Sequence, residues 1–355
     1  MEAVVVYRGE DHPRVIDIER PSPEPGEALV KTHRVGIDGT DHEVIAGRHG
    51  GFPEERDYLV LGHEAIGMVV DPNGTSFEPG ELVVPTVRRP PNESNAYFRR
   101  GEPDMAPEGA YVERGIVGAH GFMSEYFTSP EEFLVTVPDS LRQYGFLVEP
   151  MSNTEKALEH AHAARSAFEW CPERALVLGN GPLGLLTLGA FETRDAFDRT
   201  YCLGRRDRPD PTIDIIERFD STYIDSRATP VSSIRETVEP MDLVFEATGV
   251  ASHAFEAVEA LAPNGIACLL GIPDRERLEI DAGRWHRTVV LENKALIGSV
   301  NSSVPHFEAA IDTVERLPTW FLERLVTDCF GLEEIDTAFA NERETIKAVV
   351  EFPHA

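Results

Sequence analysis

Two patterns of hydrophobic and polar positions divide the chain. Up to about residue 150, short β-rich runs such as EALVKTHRVGI (27–37), YLVLGHEAIGMVV (58–70) and ELVVPTV (81–87) alternate with connections rich in Gly, Pro and Asn. That texture predicts an irregular β domain. From about residue 154, TEKALEHAHAARSAFEW carries apolar residues at helical spacing. Six short apolar strands then alternate with helical segments: ALVLGNG, TYCLGRR, TYIDSR, DLVFEATG, GIACLLGI and ALIGSV. Such alternation predicts a parallel, doubly wound sheet, so the fold class is α/β with two domains. The tail, roughly 303–355, holds a helix at VPHFEAAIDTVERL and a strand at TIKAVVEF, and is expected to rejoin the first domain. The domains are therefore drawn as 1–153 with 303–355, and 154–302. At 355 residues the chain exceeds what one core usually covers, which agrees with that division. The polar segment 86–110 shows little periodicity and reads as a functional or interdomain loop.

The first strand of the second domain runs into Gly179-Asn180-Gly181-Pro182-Leu183-Gly184 and then an apolar helix. In such a turn the first glycine permits the sharp bend, the second lets backbone approach a pyrophosphate, and the third allows close packing of helix on strand. The helix N-terminus then offers free N–H groups and a favourable dipole to phosphate. The motif's place at the head of the alternating series is what makes it a dinucleotide site. An NAD site usually places an acid near the end of the next strand, to hold the ribose 2′-hydroxyl. Here CLGRRDRPD has Gly204 at that place, followed by Arg205 and Arg206. Two guanidiniums without a preceding carboxylate suit a 2′-phosphate, so NADP is expected and NAD is the alternative. A solvated arginine loop, balanced by Asp207 and Asp210, is the competing reading.

Composition removes several classes of partner. Acidic residues number 62 against 33 basic ones, for a formal net charge of −29, and only 4 of the basic residues are lysines. Nucleic acid would be repelled. The acidic, lysine-poor balance resembles proteins of salt-rich cytoplasm, where molar salt shortens the Debye length to about 3 Å and mutes self-repulsion. The start, MEAVVVYRGEDHPRV, lacks a basic region followed by an apolar one, so cytoplasm is expected. The longest uncharged stretch, 175–191, is short for a span and is broken by Asn, Gly and Pro, which argues against a membrane. The four cysteines are far apart, with no CxxC pair to suggest a disulfide framework or a thiolate cage.

The first domain offers metal-competent side chains at strand ends: Asp38 in GIDGTDHEVIAG, His63 and Glu64 in LGHEAIG, and Glu149 in FLVEPMS. Taken singly, each is explained as a turn acid or a satisfied histidine. Together with DGTDHEVIAG, GHEAIGMVV, FEPGELVV, EPMSNTEKALE and VLGNGPLG, in that order, they resemble successive motifs of the zinc-dependent medium-chain dehydrogenase/reductases over essentially the whole chain. The segments GIVGAHGFMSEYFTSPE, YCLGRRDRPDPTIDIIE and LIGSVNS point within that superfamily to archaeal glucose dehydrogenases, particularly the halophilic branch.

That resemblance implies a GroES-like β domain, into which the C-terminus returns, and a Rossmann domain. It implies one catalytic zinc bound by Asp38, His63 and Glu149, with Glu64 adjoining and able to enter the metal's shell. Asp38 stands where most relatives have Cys, so the ligands are all nitrogen and oxygen; zinc accepts them, but the metal's identity is less tightly specified. No structural zinc is expected, because residues 85–115 contain no cysteine. The implied reaction oxidises glucose or a related aldose at C1 to the lactone, with hydride passing to NADP. Thr40 is the first proton carrier and His42 or Glu64 continues the relay. Glu113, Glu149, Asn153 and Asn301, with Thr40, are candidates for holding sugar hydroxyls; Thr248 and Asn301 are candidates for the cofactor. A homodimer or homotetramer is expected from the same source. The alternatives are a polyol or secondary-alcohol dehydrogenase of the superfamily, or a nucleotide-binding protein without activity.

Overall fold

The computed structural model describes residues 1–54, 56–340 and 345–353. The chain divides into two compact units, one made of Met1–Ser152, Asn301–Glu315 and Leu325–Ala355, the other of Asn153–Val300 and Arg316–Arg324.

The first unit is β-rich. Its central strand, Glu27–Ile37, is buried along most of its length and pairs antiparallel with Glu64–Asp71, Tyr126–Pro130 and Lys347–Glu351. Register does the positioning. Gly36 lies opposite Glu64 and Ile37 opposite Ala348, so the end of this strand, with Asp38 next in the chain, is flanked by Glu64 on one side and Lys347 on the other. An apolar cluster including Val35, Ile37, Leu61, Ala65, Met123, Val350 and Phe352 lies beneath. The run YLVLGHEAIGMVV forms two strands rather than one, Tyr58–Val60 and Glu64–Asp71. Between them the carbonyls of Leu61 and Gly62 accept from the N–H groups of Met123 and Phe122, both at 2.9 Å, so the backbone leaves one ladder before His63 and joins another after it.

Segment 86–110 is more ordered than its polarity suggests. It holds the short strand Arg88–Arg89, a helical turn at Ala96–Arg99 and another at Pro103–Met105. A small apolar cluster of Phe98, Ala106 and Phe133 anchors it. The helix expected near residue 154 begins at Val148 and ends at Arg165, because Val148 and Met151 are fully buried and extend the apolar side upstream.

The second unit contains the doubly wound sheet. Its six parallel strands lie in the order Thr222–Asp225, Arg199–Gly204, Arg174–Leu178, Met241–Glu246, Leu261–Leu269, Ala295–Gly298. The direction of winding reverses beside Arg174–Leu178, which places Gly179 and the residues after Glu246 at the topological switch point, the usual ligand crevice of open α/β sheets. Residues 316–324, expected to accompany the rest of the tail, belong to this unit instead. The reason is packing: the Phe321 ring lies 4.9 Å from that of Phe219, and Leu317 and Phe321 close over Gly189.

Candidate active site

Asp38, His63 and Glu64 converge at the end of the central strand. One ligand atom from each lies within 4.8 Å of the others, the arrangement a metal ion needs. His63 Nε2 is 3.7 Å from Asp38 Oδ1. Convergent nitrogen and carboxylate oxygen donors, two of the three residues buried and Asp38 half-buried, fit zinc and also admit harder divalent ions. Glu149 is not in this cluster; it lies in the first turn of the Val148–Arg165 helix, buried, and acts on His63 as a nearby negative charge.

Asp38 is also the N-cap of the Gly39–Ile45 helix. Its Oδ1 accepts from the N–H of Thr40 at 2.8 Å and of Asp41 at 3.2 Å, while Asp41 returns the bond by accepting from the N–H of Asp38 at 3.1 Å. Thr40 Oγ1 approaches Asp38 Oδ2 at 3.4 Å, which keeps the proposed first proton carrier against the cluster. His42 is half-buried, edge-on to Phe339, and burial lowers its pKa.

Two members of the site escape sequence reasoning. Asp41, 1% exposed, accepts from the N–H of Gly62 at 3.2 Å and holds Oδ1 at 3.9 Å from His63 Nδ1, a nitrogen that makes no hydrogen bond among the described residues. At that distance Asp41 acts on the ring through its charge rather than through a hydrogen bond, and raises its basicity. Lys347 is equally buried, and its Nζ lies 2.5 Å from Glu64 Oε2. Burial opposes the charge on His63, but Asp38, Asp41 and Glu149 more than offset it and hold the imidazole pKa well above its ordinary value. Burial would likewise raise Asp38, yet His63 and Lys347 pull its carboxyl far down, whereas for Asp41 and Glu64 burial wins and the pKa rises. These carboxylates favour the protonated imidazole, and a metal needs the neutral one, so metal binding here competes with protons.

In the second unit the glycine turn matches its expected roles. A Cβ on Gly184 would stand 1.9 Å from the carbonyl oxygen of Gly179, so only glycine allows the helix this close to the strand. Gly181 is the N-cap of Pro182–Thr193 with no side chain capping it, leaving the first N–H groups to an anion. Gly204 faces the Asn180 carboxamide, and a Cβ there would meet Oδ1 at 2.4 Å, so any larger residue would require the Asn180 side chain to move. Asp207 is engaged by Arg227, and Asp210 caps the Pro211–Arg218 helix while lying 3.9 Å from Arg206. Exposed Arg205 has no ion pair or hydrogen bond among the described residues. Thr248 is tied to Glu246 through its N–H and hydroxyl and to His253 Nδ1 at 2.8 Å.

Asn301 adopts a left-handed backbone (φ 57°), with Oδ1 accepting from the N–H of Ser302 and Nδ2 reaching Glu113 Oε1 at 3.5 Å. Asn153 sits half-buried on the Val148–Arg165 helix.

Comparison with known proteins is consistent along the whole chain. The family "Glucose dehydrogenase C-terminus" matches residues 142–352 and "Alcohol dehydrogenase GroES-like domain" matches residues 24–139. The glucose 1-dehydrogenases of Haloferax mediterranei and Haloarcula marismortui are 62% and 59% identical, each over 99% of this chain and 99% of its own. A solved structure of Haloferax mediterranei glucose dehydrogenase in complex with NADP, Zn and gluconolactone superposes with a TM-score of 0.99 at 61% identity, covering 100% of both chains.

Proposed function

Since the chain belongs to the glucose dehydrogenase family, we infer that it is a zinc-dependent glucose 1-dehydrogenase, oxidising β-D-glucose at C1 to gluconolactone with hydride transfer to NADP. The observation that carries this reading is the convergence of half-buried Asp38 with buried His63 and Glu64 within 4.8 Å. Asp38 and His63 would hold zinc, with Glu64 or Glu149 completing the protein ligands. Zinc, when bound, supplies a Lewis acid that lowers the pKa of the sugar's C1 hydroxyl, and NADP supplies the hydride acceptor.

The chain's own residues do the rest. Thr40, whose hydroxyl is held by Asp38, takes the hydroxyl proton and passes it toward His42, kept neutral near physiological pH by burial. Glu113, Glu149, Asn153 and Asn301 hold sugar hydroxyls; an unmatched one costs about 1–3 kcal/mol, which is how such a site selects a polyol. The glycine turn with the Pro182–Thr193 N-terminus takes the pyrophosphate, and Arg205 with Arg206 takes the 2′-phosphate.

Two further assignments complete the proposal. Exposed Val290, Leu291 and Leu296 lie on and beside the edge strand Ala295–Gly298, supporting a homodimer in which two such edges pair. No helix among the described residues is long and apolar enough to cross a membrane, and the net charge of −29 suits a salt-rich cytoplasm. The direct test is NADPH formation from glucose in molar KCl, before chelation, after it, and after zinc is restored. Loss and recovery support the assignment. Inactivity of zinc-replete protein, or a faster secondary-alcohol substrate, rejects the sugar reading.

A further inference from the structure

Arg88 and Glu113 are register partners across the antiparallel pair of Arg88–Arg89 and Val112–Arg114, and both are buried. Arg88 Nε donates to Glu113 Oε1 at 3.0 Å. Its Nη1 donates to the carbonyl of Asp104 at 2.8 Å, with the carbonyls of Pro103 and Ala106 each at 3.4 Å, and the guanidinium lies 3.6 Å over the Tyr111 ring. One fork therefore fixes the carboxylate and gathers the turn at Pro103–Met105. Asn301 Nδ2 reaches the same Oε1, so that oxygen is committed. Oε2 accepts no hydrogen bond among the described residues.

A buried carboxylate with one oxygen pinned and its charge paired presents a single acceptor in a fixed direction. That suits a neutral hydroxyl, which brings a donor but no charge. The strand bearing Glu113 is also registered to the chain that bears His63. A Cβ on Gly115 would meet the carbonyl oxygen of Gly62 at 2.5 Å, so these backbones touch one residue before the histidine.

We propose that Arg88 is a positioning residue for sugar recognition, aiming Glu113 Oε2 at a substrate hydroxyl and linking the 90–111 segment to the site. The proposal rests on the reading of Glu113 as a sugar contact. Lysine is no substitute, since a single ammonium cannot meet the carboxylate and the Asp104 carbonyl in the same forked geometry.

The test uses zinc-loaded full-length protein in molar KCl, with R88M, R88K, E113Q and the double variant R88M/E113Q. Steady-state kcat, KM for glucose and KM for NADP are measured, together with zinc content. R88M and R88K are each expected to raise KM for glucose about tenfold, with kcat and KM for NADP within twofold of the parent. In the E113Q background, R88M is expected to change KM for glucose less than twofold. Should R88M fail to fold, R88K, which keeps the charge, and R88M/E113Q, which removes both charges, carry the comparison. Full rescue by R88K overturns the proposal, as does an R88M effect that multiplies that of E113Q. Either leaves Glu113's own role standing if E113Q alone raises KM. E113Q with an unchanged KM for glucose overturns the Glu113 reading itself, and the Arg88 proposal with it.

Discussion

Replacing Lys347 by Met is expected to destabilise the metal-free protein far more than the small net contribution of its ion pair would suggest. The ammonium and the Glu64 carboxylate are 2.5 Å apart, each side chain 1% exposed. At an effective dielectric of about 20, that separation corresponds to about 7 kcal/mol of Coulomb attraction. Desolvation of two ions, several kcal/mol each, offsets most of it, so the intact pair contributes little net stability. Removing one partner leaves Glu64 buried and uncompensated, which typically costs about 3–5 kcal/mol. There is no slack for water to enter, since a Cβ on the neighbouring Gly36 would stand 2.2 Å from Glu64 Oε2 and 3.1 Å from Lys347 Cε. For a unit of this size the loss corresponds to a fall in Tm of about 6–20 °C. In K347M/E64Q the stranded charge becomes a neutral amide that costs about 1–3 kcal/mol, so the double variant should recover about 2 kcal/mol. The assay is differential scanning calorimetry in molar KCl with chelator, which removes metal binding from the comparison. A fall below about 2 °C for K347M, or a double variant no more stable than K347M, would refute the reasoning.

Asp41→Asn should weaken zinc binding about 10-fold, because the carboxylate beside His63 loses its charge; competition with a chromogenic chelator measures this, and an unchanged Kd counts against an electrostatic role for Asp41. Replacing Arg205 and Arg206 together by Ala should raise KM for NADP at least tenfold and leave KM for NAD within twofold, and an unaltered coenzyme ratio would reject the phosphate assignment. Burial, with Arg114 and Arg56 nearby, pushes His120 down to about 4, while its Nδ1 accepts from the N–H of Val60. Its contribution to stability is therefore fully present above the unfolded value of about 6.5 and is lost as pH falls from there toward 4. The Tm difference between the parent and H120Q should shrink between pH 7 and pH 4.5, and a difference independent of pH would disprove this.

The alternation of apolar strands and helices located all six strands of the second unit, because its central strands are buried on both faces and leave continuous apolar runs. Asp38, His63 and Glu64 were legible through their motifs, and register explains why they meet. Glu149 was grouped with them by resemblance, and it lies buried in the first turn of its helix, near enough to act on His63 as a negative charge. Lys347 was invisible at a separation of 283 residues from Glu64, since only strand pairing brings the two together. A signal was nevertheless present. Among 4 lysines in so arginine-rich a chain, Lys156, Lys294 and Lys347 are buried, so the retained lysines mark interior positions rather than surface ones. Segment 86–110 misled by its polarity: its Arg88 and Arg89 are buried, held by backbone carbonyls and against aromatic faces, and a charge count cannot register that.

Asp38 answers to two masters. Its Oδ1 closes the first turn of a seven-residue helix and is also the oxygen nearest His63 Nε2, while Oδ2 faces the Thr40 hydroxyl. A carboxylate can serve both because it has two acceptor atoms; a thiolate has one, and sulfur is a weak acceptor for backbone N–H groups. A cysteine at this place would strengthen the grip on a soft metal while loosening the helix that carries Thr40 and His42 by about 1 kcal/mol. The harder ligand therefore buttresses the start of the proton path whether or not metal is bound, so demetallation should empty the site without unravelling the relay beside it.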